Sequence, residues 1–195
     1  MAIWNRIAKI TGIVLGPLVW FPLLIIAFLF KTDLSEKQQL ILFPLIIIFL
    51  VLIPFGYLFF MIKKKEIADW DIRNRKERYK ILPLFILSNL ILFVFVNVFG
   101  TKLFFHLFTI LLFVALLGTI ITYVWKISLH MTVITSSVII LDFLFGFKLP
   151  ELYILIPIVG WARFYQKHHT ILQIVIGTLV SGLITIIGLY YFKYI

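Results

Sequence analysis

Three short stretches of the chain hold residue types that together can handle a phosphate ester. The first is Asp69-Trp70-Asp71-Ile72-Arg73-Asn74-Arg75-Lys76-Glu77-Arg78. Arginines three apart share a helix face, so Arg75 and Arg78 can turn two planar donor forks toward one anion. The second is Lys126-Ile127-Ser128-Leu129-His130, which pairs a hydroxyl with the one side chain whose proton moves near neutral pH without special tuning. The third is Trp161-Ala162-Arg163, then five residues, His169, three more, and Gln173. A final helix starting near His168 puts His169 and Gln173 on one face, where the amide can hold the imidazole. The same spacing continues to Gly177 and Ser181, small or polar throughout, as expected of a face packed into a bundle. Each stretch also has a plainer use: a basic loop on lipid headgroups, a capping serine, and an interfacial loop ahead of a packing seam. That plainer use gives Gln173 no role.

A phosphate-ester site needs cationic forks for the equatorial oxygens, a nucleophile in line and an acid on the leaving group. The arginines, His169 and His130 supply those three. The fourth histidine, His106, falls inside an apolar run and reads as a packed helix histidine. Asp142 lies twelve residues beyond His130, about 18 Å along a helix at 1.5 Å per residue, too far to serve it. A structural partner, a hydroxyl or a lysine, is its expected use.

The elements that must position these residues follow from composition. The chain has 195 residues, 63% of them hydrophobic and 13% charged, with a mean hydropathy of +1.15, which excludes an ordinary soluble domain. Apolar runs cover 10–30, 39–62, 81–99, 103–125, 131–147, 149–160 and 171–192. Most are long enough to cross a hydrocarbon core of about 30 Å as helices. The expected fold is all-α, a polytopic transmembrane bundle of six or seven helices in a single domain over 1–195. Pro44 and Pro54 should kink the second run. Cysteine is absent, which excludes disulfides, thiolate metal sites and thiol nucleophiles. The excess of 18 Lys and Arg over 8 Asp and Glu fits anionic lipid and phosphate partners, not nucleic acid.

Ser128-x-His130 followed by Arg163-x5-His169-x3-Gln173 resembles the second and third signature motifs of the type 2 phosphatidic acid phosphatase superfamily, which also includes vanadium haloperoxidases. The stretch around Arg75, Lys76, Arg78 and Pro83 sits where that family has its first, basic motif, and the likeness covers about 69–181. The resemblance implies that Arg163 with Arg75, Lys76 and Arg78 binds phosphate, assisted by Ser128. It implies that His169 attacks phosphorus, that His130 protonates the leaving group, and that no metal or other cofactor takes part. Three positions depart from the pattern: Leu129 replaces a glycine, Ala162 a serine, and Gln173 the aspartate that would offset charge on His169. The substrate class implied is a lipid phosphate or polyprenyl diphosphate held in the bilayer. Two rivals stand beside it. One is a magnesium-dependent prenyl or phosphoalcohol transferase, prompted by Asp69 and Asp71. The other is a non-catalytic protein that binds anionic lipid or a partner, prompted by Gln173.

Alternating the runs across a bilayer brings all three stretches and the N-terminus to one face, with thirteen of the 18 Lys and Arg. Many members of the resembled family act on the outer or lumenal side, whereas the positive-inside rule favours the cytoplasm for that face, by eight against five when Arg73, Arg75, Lys76, Arg78 and Arg163 are set aside as candidate anion ligands. A reporter active only in the cytoplasm is therefore expected to give signal when fused after Lys65 and none when fused after Lys37.

Overall fold

The computed structural model describes residues 2–195, and among these there is no strand. The chain divides into two units, Pro22–Leu112 and the pairing of Met1–Phe21 with Phe113–Ile195.

The Pro22–Leu112 unit holds most of α2 (Pro17–Lys31), α3 (Glu36–Ile46), α4 (Ile53–Lys63), α5 (Arg75–Phe99) and the first half of α6 (Lys102–Val124). Ser35 starts α3 with a capping box to Gln38, whose amide also donates to Phe99 O at 2.8 Å. Pro44 and Pro54 do not break the second run. A wider π turn over Ile47–Leu52 joins α3 to α4 into one helix, Glu36–Lys63. Proline removes an N–H and crowds the carbonyl four residues back, and a π turn between two prolines shifts the register to absorb both.

The other unit holds α1 (Ala2–Val14), the second half of α6, α7 (Leu129–Leu144), α8 (Leu155–Tyr165) and α9 (Ile171–Tyr191). Its centre is α7, which buries residues on every side, from His130 and Met131 to Ile140 and Asp142. A helix apolar or small all round belongs inside a bundle. Met131, Ile134 and Val138 pack with Val159 of α8, and Leu15, Trp20 and Ile174 close over them. Against α9 the contact is made by small residues. A Cβ at Gly177 would lie 3.0 Å from Ser128 O and 3.1 Å from Met131 Cβ, so only glycine lets the two backbones approach this closely. Ser181 and Thr185 turn their hydroxyls back to the carbonyls of Gly177 and Ser181, at 2.7 and 2.8 Å, which spares the seam an unmet polar group.

Asp142 has the structural use expected of it. Its carboxylate accepts from Leu149 N at 2.9 Å and from the hydroxyl of Tyr153, fixing the reversal between α7 and the 3-10 turn Pro150–Ile154.

Two sequence expectations change. The first run is not one helix: α1 already starts at Ala2, and a break at Leu15-Gly16 separates it from α2 with a bend of 45°. Gly16 weakens the helix, and Pro17, which lacks an N–H, is suited to begin a new one. Among the described residues, the expected six or seven crossings are matched only in part by helix length. Four helices are long and apolar enough, α3 with α4 counted as one, and five if the bent α1–α2 pair counts as a span. The fifth and sixth runs form α7 and α8, of 16 and 11 residues, about 24 and 16 Å long at 1.5 Å per residue. Hydropathy marks both as apolar, but burial inside the bundle needs that as much as lipid does.

The α7–α9 seam generates a direct expectation. Gly177→Val forces the two helices apart and destabilises the protein by about 1–3 kcal/mol, read as a lowered melting temperature in detergent, whereas Ile187→Val on the exposed face of α9 leaves it unchanged.

Candidate functional site

The spacing Arg163-x5-His169 is the length of one helix end and one turn. Arg163 stands in the last turn of α8. Gln166 N–H returns to Ala162 O at 3.1 Å, Lys167 N–H to Phe164 O at 2.9 Å, and His168 N–H to Arg163 O at 3.0 Å. This is the Schellman arrangement, with Lys167 in the left-handed position at φ 56° where glycine is usual. His169 N–H also reaches Arg163 O, at 3.4 Å. The loop therefore folds back on the residue that began it, and Lys126 clamps it by donating to His168 O at 2.8 Å.

Thr170 then caps α9. Its hydroxyl accepts from Gln173 N–H at 3.4 Å and its own N–H donates to Gln173 Oε1 at 3.3 Å. The Thr-x-x-Gln capping box gives Gln173 a structural role that the spacing argument overlooked, although the signal stands in the sequence. The helix starts at Ile171, later than expected, and His169 lies just outside it. The two side chains still meet: His169 Nδ1 is 3.0 Å from Gln173 Oε1. A backbone N–H already points at that atom, which fixes it as the amide oxygen, an acceptor only. The proton on His169 is thereby held at Nδ1 and the ring lone pair at Nε2, the tautomer a nucleophile requires.

Across from these residues, α7 begins at Ser128, fully buried, with its N–H on Gln173 O at 3.4 Å. Its hydroxyl has no hydrogen-bond partner and makes no capping bond. A hydroxyl at the positive end of a helix, desolvated and unmet, suits an incoming anion. Two residues on, His130 Nε2 lies 3.0 Å from Arg163 Nη1 and 3.0 Å from Gly12 O of α1. The Nη2 of Arg163 donates to Gln166 Oε1. Arg163, His130 and His169 are 2, 7 and 6% exposed. A continuous set of hydrogen bonds thus runs from Ser128 through Gln173, His169 and Arg163 to His130.

The structure brings together five of the eight residues singled out in the sequence: Ser128, His130, Arg163, His169 and Gln173. Arg75, Lys76 and Arg78 belong to the other unit, at the start of α5. Asn74 caps that helix. Arg78 is buried and its Nε donates to Ile72 O at 3.0 Å, while Arg75 lies over the Tyr79 ring at 6.0 Å and Lys76 is exposed. The loop before them is held by its own polar groups. Asp69 accepts from Asp71 N–H at 2.9 Å and pairs with Arg73 at 3.1 Å. Glu66 pairs with Lys80 at 3.0 Å, and that ammonium holds its carboxyl below the ordinary value. No three His, Cys, Asp or Glu come together as metal ligands among the described residues. His106 lies beside the Phe105 ring on α6.

Gly12, Gln166 and the clamp from Lys126 were not anticipated as parts of the site. Gln166 had a signal, being three residues past Arg163 on the same helix face. Gly12 had none, because its contact spans 118 residues of chain.

Gln173 serves the cap and the imidazole through one atom, and its variants separate the two. Gln173→Glu keeps the capping box while putting a carboxylate on Nδ1, so the melting temperature is expected to hold. Gln173→Ala loses the cap as well as the contact to the ring, lowering stability by about 1 kcal/mol in thermal unfolding. Comparison of the chain with protein-family models, with curated proteins and with solved structures returns no match.

Proposed function

We propose that this protein is a membrane lipid phosphatase that hydrolyses a lipid phosphate or polyprenyl diphosphate through a phosphohistidine intermediate. The observation that carries the reading is the fixed tautomer of His169, whose backbone N–H reaches the carbonyl of the buried Arg163. The capped amide of Gln173 keeps the proton on Nδ1, and Arg163, at the other end of the same loop, directs its donors to His130 and Gln166. The resemblance of Ser128-x-His130 and Arg163-x5-His169-x3-Gln173 to the phosphatidic acid phosphatase motifs supports the same assignment.

In the first step, the lone pair on His169 Nε2 attacks phosphorus. The P–N bond forms as the P–O bond to the lipid alkoxide or phosphate breaks, and His130 passes its proton to the departing oxygen. Arg163 and the hydroxyl of Ser128 take the charge on the phosphoryl oxygens. In the second step, His130, now neutral, takes a proton from water. The water oxygen attacks phosphorus, and the P–N bond breaks to release inorganic phosphate and restore His169. The substrate tail stays in the bilayer while its headgroup enters the site.

One observation favours a second reading. Gln173 has a structural use in the capping box and brings no negative charge to the imidazole, which suits a protein that binds a lipid phosphate without turning it over.

Phosphate release decides between them. Purified protein in detergent, given phosphatidate and polyprenyl diphosphates with EDTA present, is expected to release phosphate, and His169→Ala is expected to release none. Arg163→Lys, which keeps the charge and loses the planar fork, should weaken substrate binding by about 2 kcal/mol, seen in KM. Release by neither wild type nor variant, with lipid phosphate still bound, would establish the second reading.

A further inference from the structure

The last turn of a helix leaves carbonyls without partners. At the end of α1, Leu15 N–H returns to Thr11 O at 2.9 Å and Gly16 N–H goes to Ile13 O at 3.2 Å, passing over Gly12. The Gly12 carbonyl is taken up instead by His130 Nε2 at 3.0 Å. That same nitrogen is 3.0 Å from Arg163 Nη1. A carbonyl only accepts and a guanidinium only donates, so one ring nitrogen cannot serve both at once. With its proton on Nε2 the ring meets Gly12, and with its lone pair there it meets Arg163. In the closed arrangement the two therefore compete for that nitrogen.

The approach of α1 depends on the absence of a side chain. A Cβ at Gly12 would lie 2.9 Å from Arg163 Cζ and closer still to Nη2, and one at Gly16 would lie 3.3 Å from His130 Nε2. Ala8 and Gly12 are the buried positions of α1, while Ile3, Trp4, Ile7 and Ile10 are exposed along with Arg6 and Lys9. Such an outer face, apolar with basic residues, is at home among lipid headgroups. Trp4 meets Trp161 of α8 edge-on at 6.0 Å, and the helix ends at the Leu15-Gly16 break.

We propose that α1 is a lid on the site. Its Gly12 carbonyl stands on His130, with Gly12 packed against Arg163, where an oxygen of a bound phosphate group would stand, and an anion opens the lid by displacing that carbonyl, α1 swinging at Leu15-Gly16. The energetics favour the exchange. A phosphate oxygen makes charge-assisted bonds about twice as strong as those of a neutral carbonyl. By drawing Arg163 to itself, it also frees His130 Nε2 to hold a proton. The proposal rests on the preceding reading only in taking phosphate as the ligand, and it holds for a binder as well as for a phosphatase.

The test is phosphate binding, not hydrolysis. The chain lacks cysteine, so Trp4→Cys/Trp161→Cys can be bridged by a short bis-methanethiosulfonate and released by reductant. Inorganic phosphate binding by the full chain in detergent, followed by titration calorimetry, is expected to weaken at least about tenfold on bridging, as the competent fraction falls, and to recover on reduction. Equal affinity after complete bridging overturns the lid, and so does an absence of phosphate binding in both forms. Gly12→Ala gives a reading that does not depend on the thiol pair. Its methyl keeps α1 off the guanidinium, so phosphate affinity should rise, by up to about tenfold; unchanged or weaker binding counts against the lid. A protein that binds phosphate in this way but releases none from any lipid loses the phosphatase reading and keeps the lid.

Discussion

A guanidinium is always charged, and burying one costs several kcal/mol unless its donors are met. Arg163 is 2% exposed, and much of its unit is arranged around that fact. The helix that carries it stops within a turn, so that Gln166 can fold against Nη2 and the backbone can reverse. The helix over it carries glycine at the point of contact, and the helix beside it presents a histidine nitrogen. None of these groups brings a formal negative charge. Neutral acceptors can hold a guanidinium in place, but they cannot compete with a phosphate for it, and this makes the arrangement suited to an anion that comes and goes.

The same loop shows why some of the site was legible in the sequence. Arg163 and His169 are linked by a Schellman turn and a helix cap, both local, so their spacing is fixed by backbone geometry and survives as a readable pattern. His169 and Gln173 likewise sit within one turn of each other. The link to His130 and Ser128 is tertiary, yet it follows from the polar residues being confined to one end of apolar helices. Gly12 was beyond reach because a glycine that leaves room for a distant side chain looks like any other glycine in an apolar run.

The fold was legible in class and not in number. Hydropathy measures how willing a segment is to leave water and not how long its helix becomes, and α7 and α8, at 16 and 11 residues, are shorter than the helices long enough to cross. At the N-terminus, Asn5, Arg6 and Lys9 masked a helix that starts at Ala2, since its apolar residues fall on one stripe and its charges on another. The Asp69–Arg78 stretch was read by charge alone, while the structure uses several of those charges to hold its own loop.

Gln173 ties stability to chemistry through a single oxygen. As the third residue of a capping box it must accept from the Thr170 N–H, and that bond orients the amide so that His169 is given an acceptor and not a donor. Aspartate at this position, one methylene shorter, would have to choose between the ring and the cap, whereas glutamine reaches both and supplies no charge. A chain that adopts glutamine gains a firm start to α9 and a fixed tautomer, and gives up the offset to a developing imidazolium. In the proposed phosphatase, the buried guanidinium and the unmet hydroxyl of Ser128 at the start of α7 would then carry the transition-state stabilisation, with its weight on the phosphoryl oxygens and not on the attacking ring.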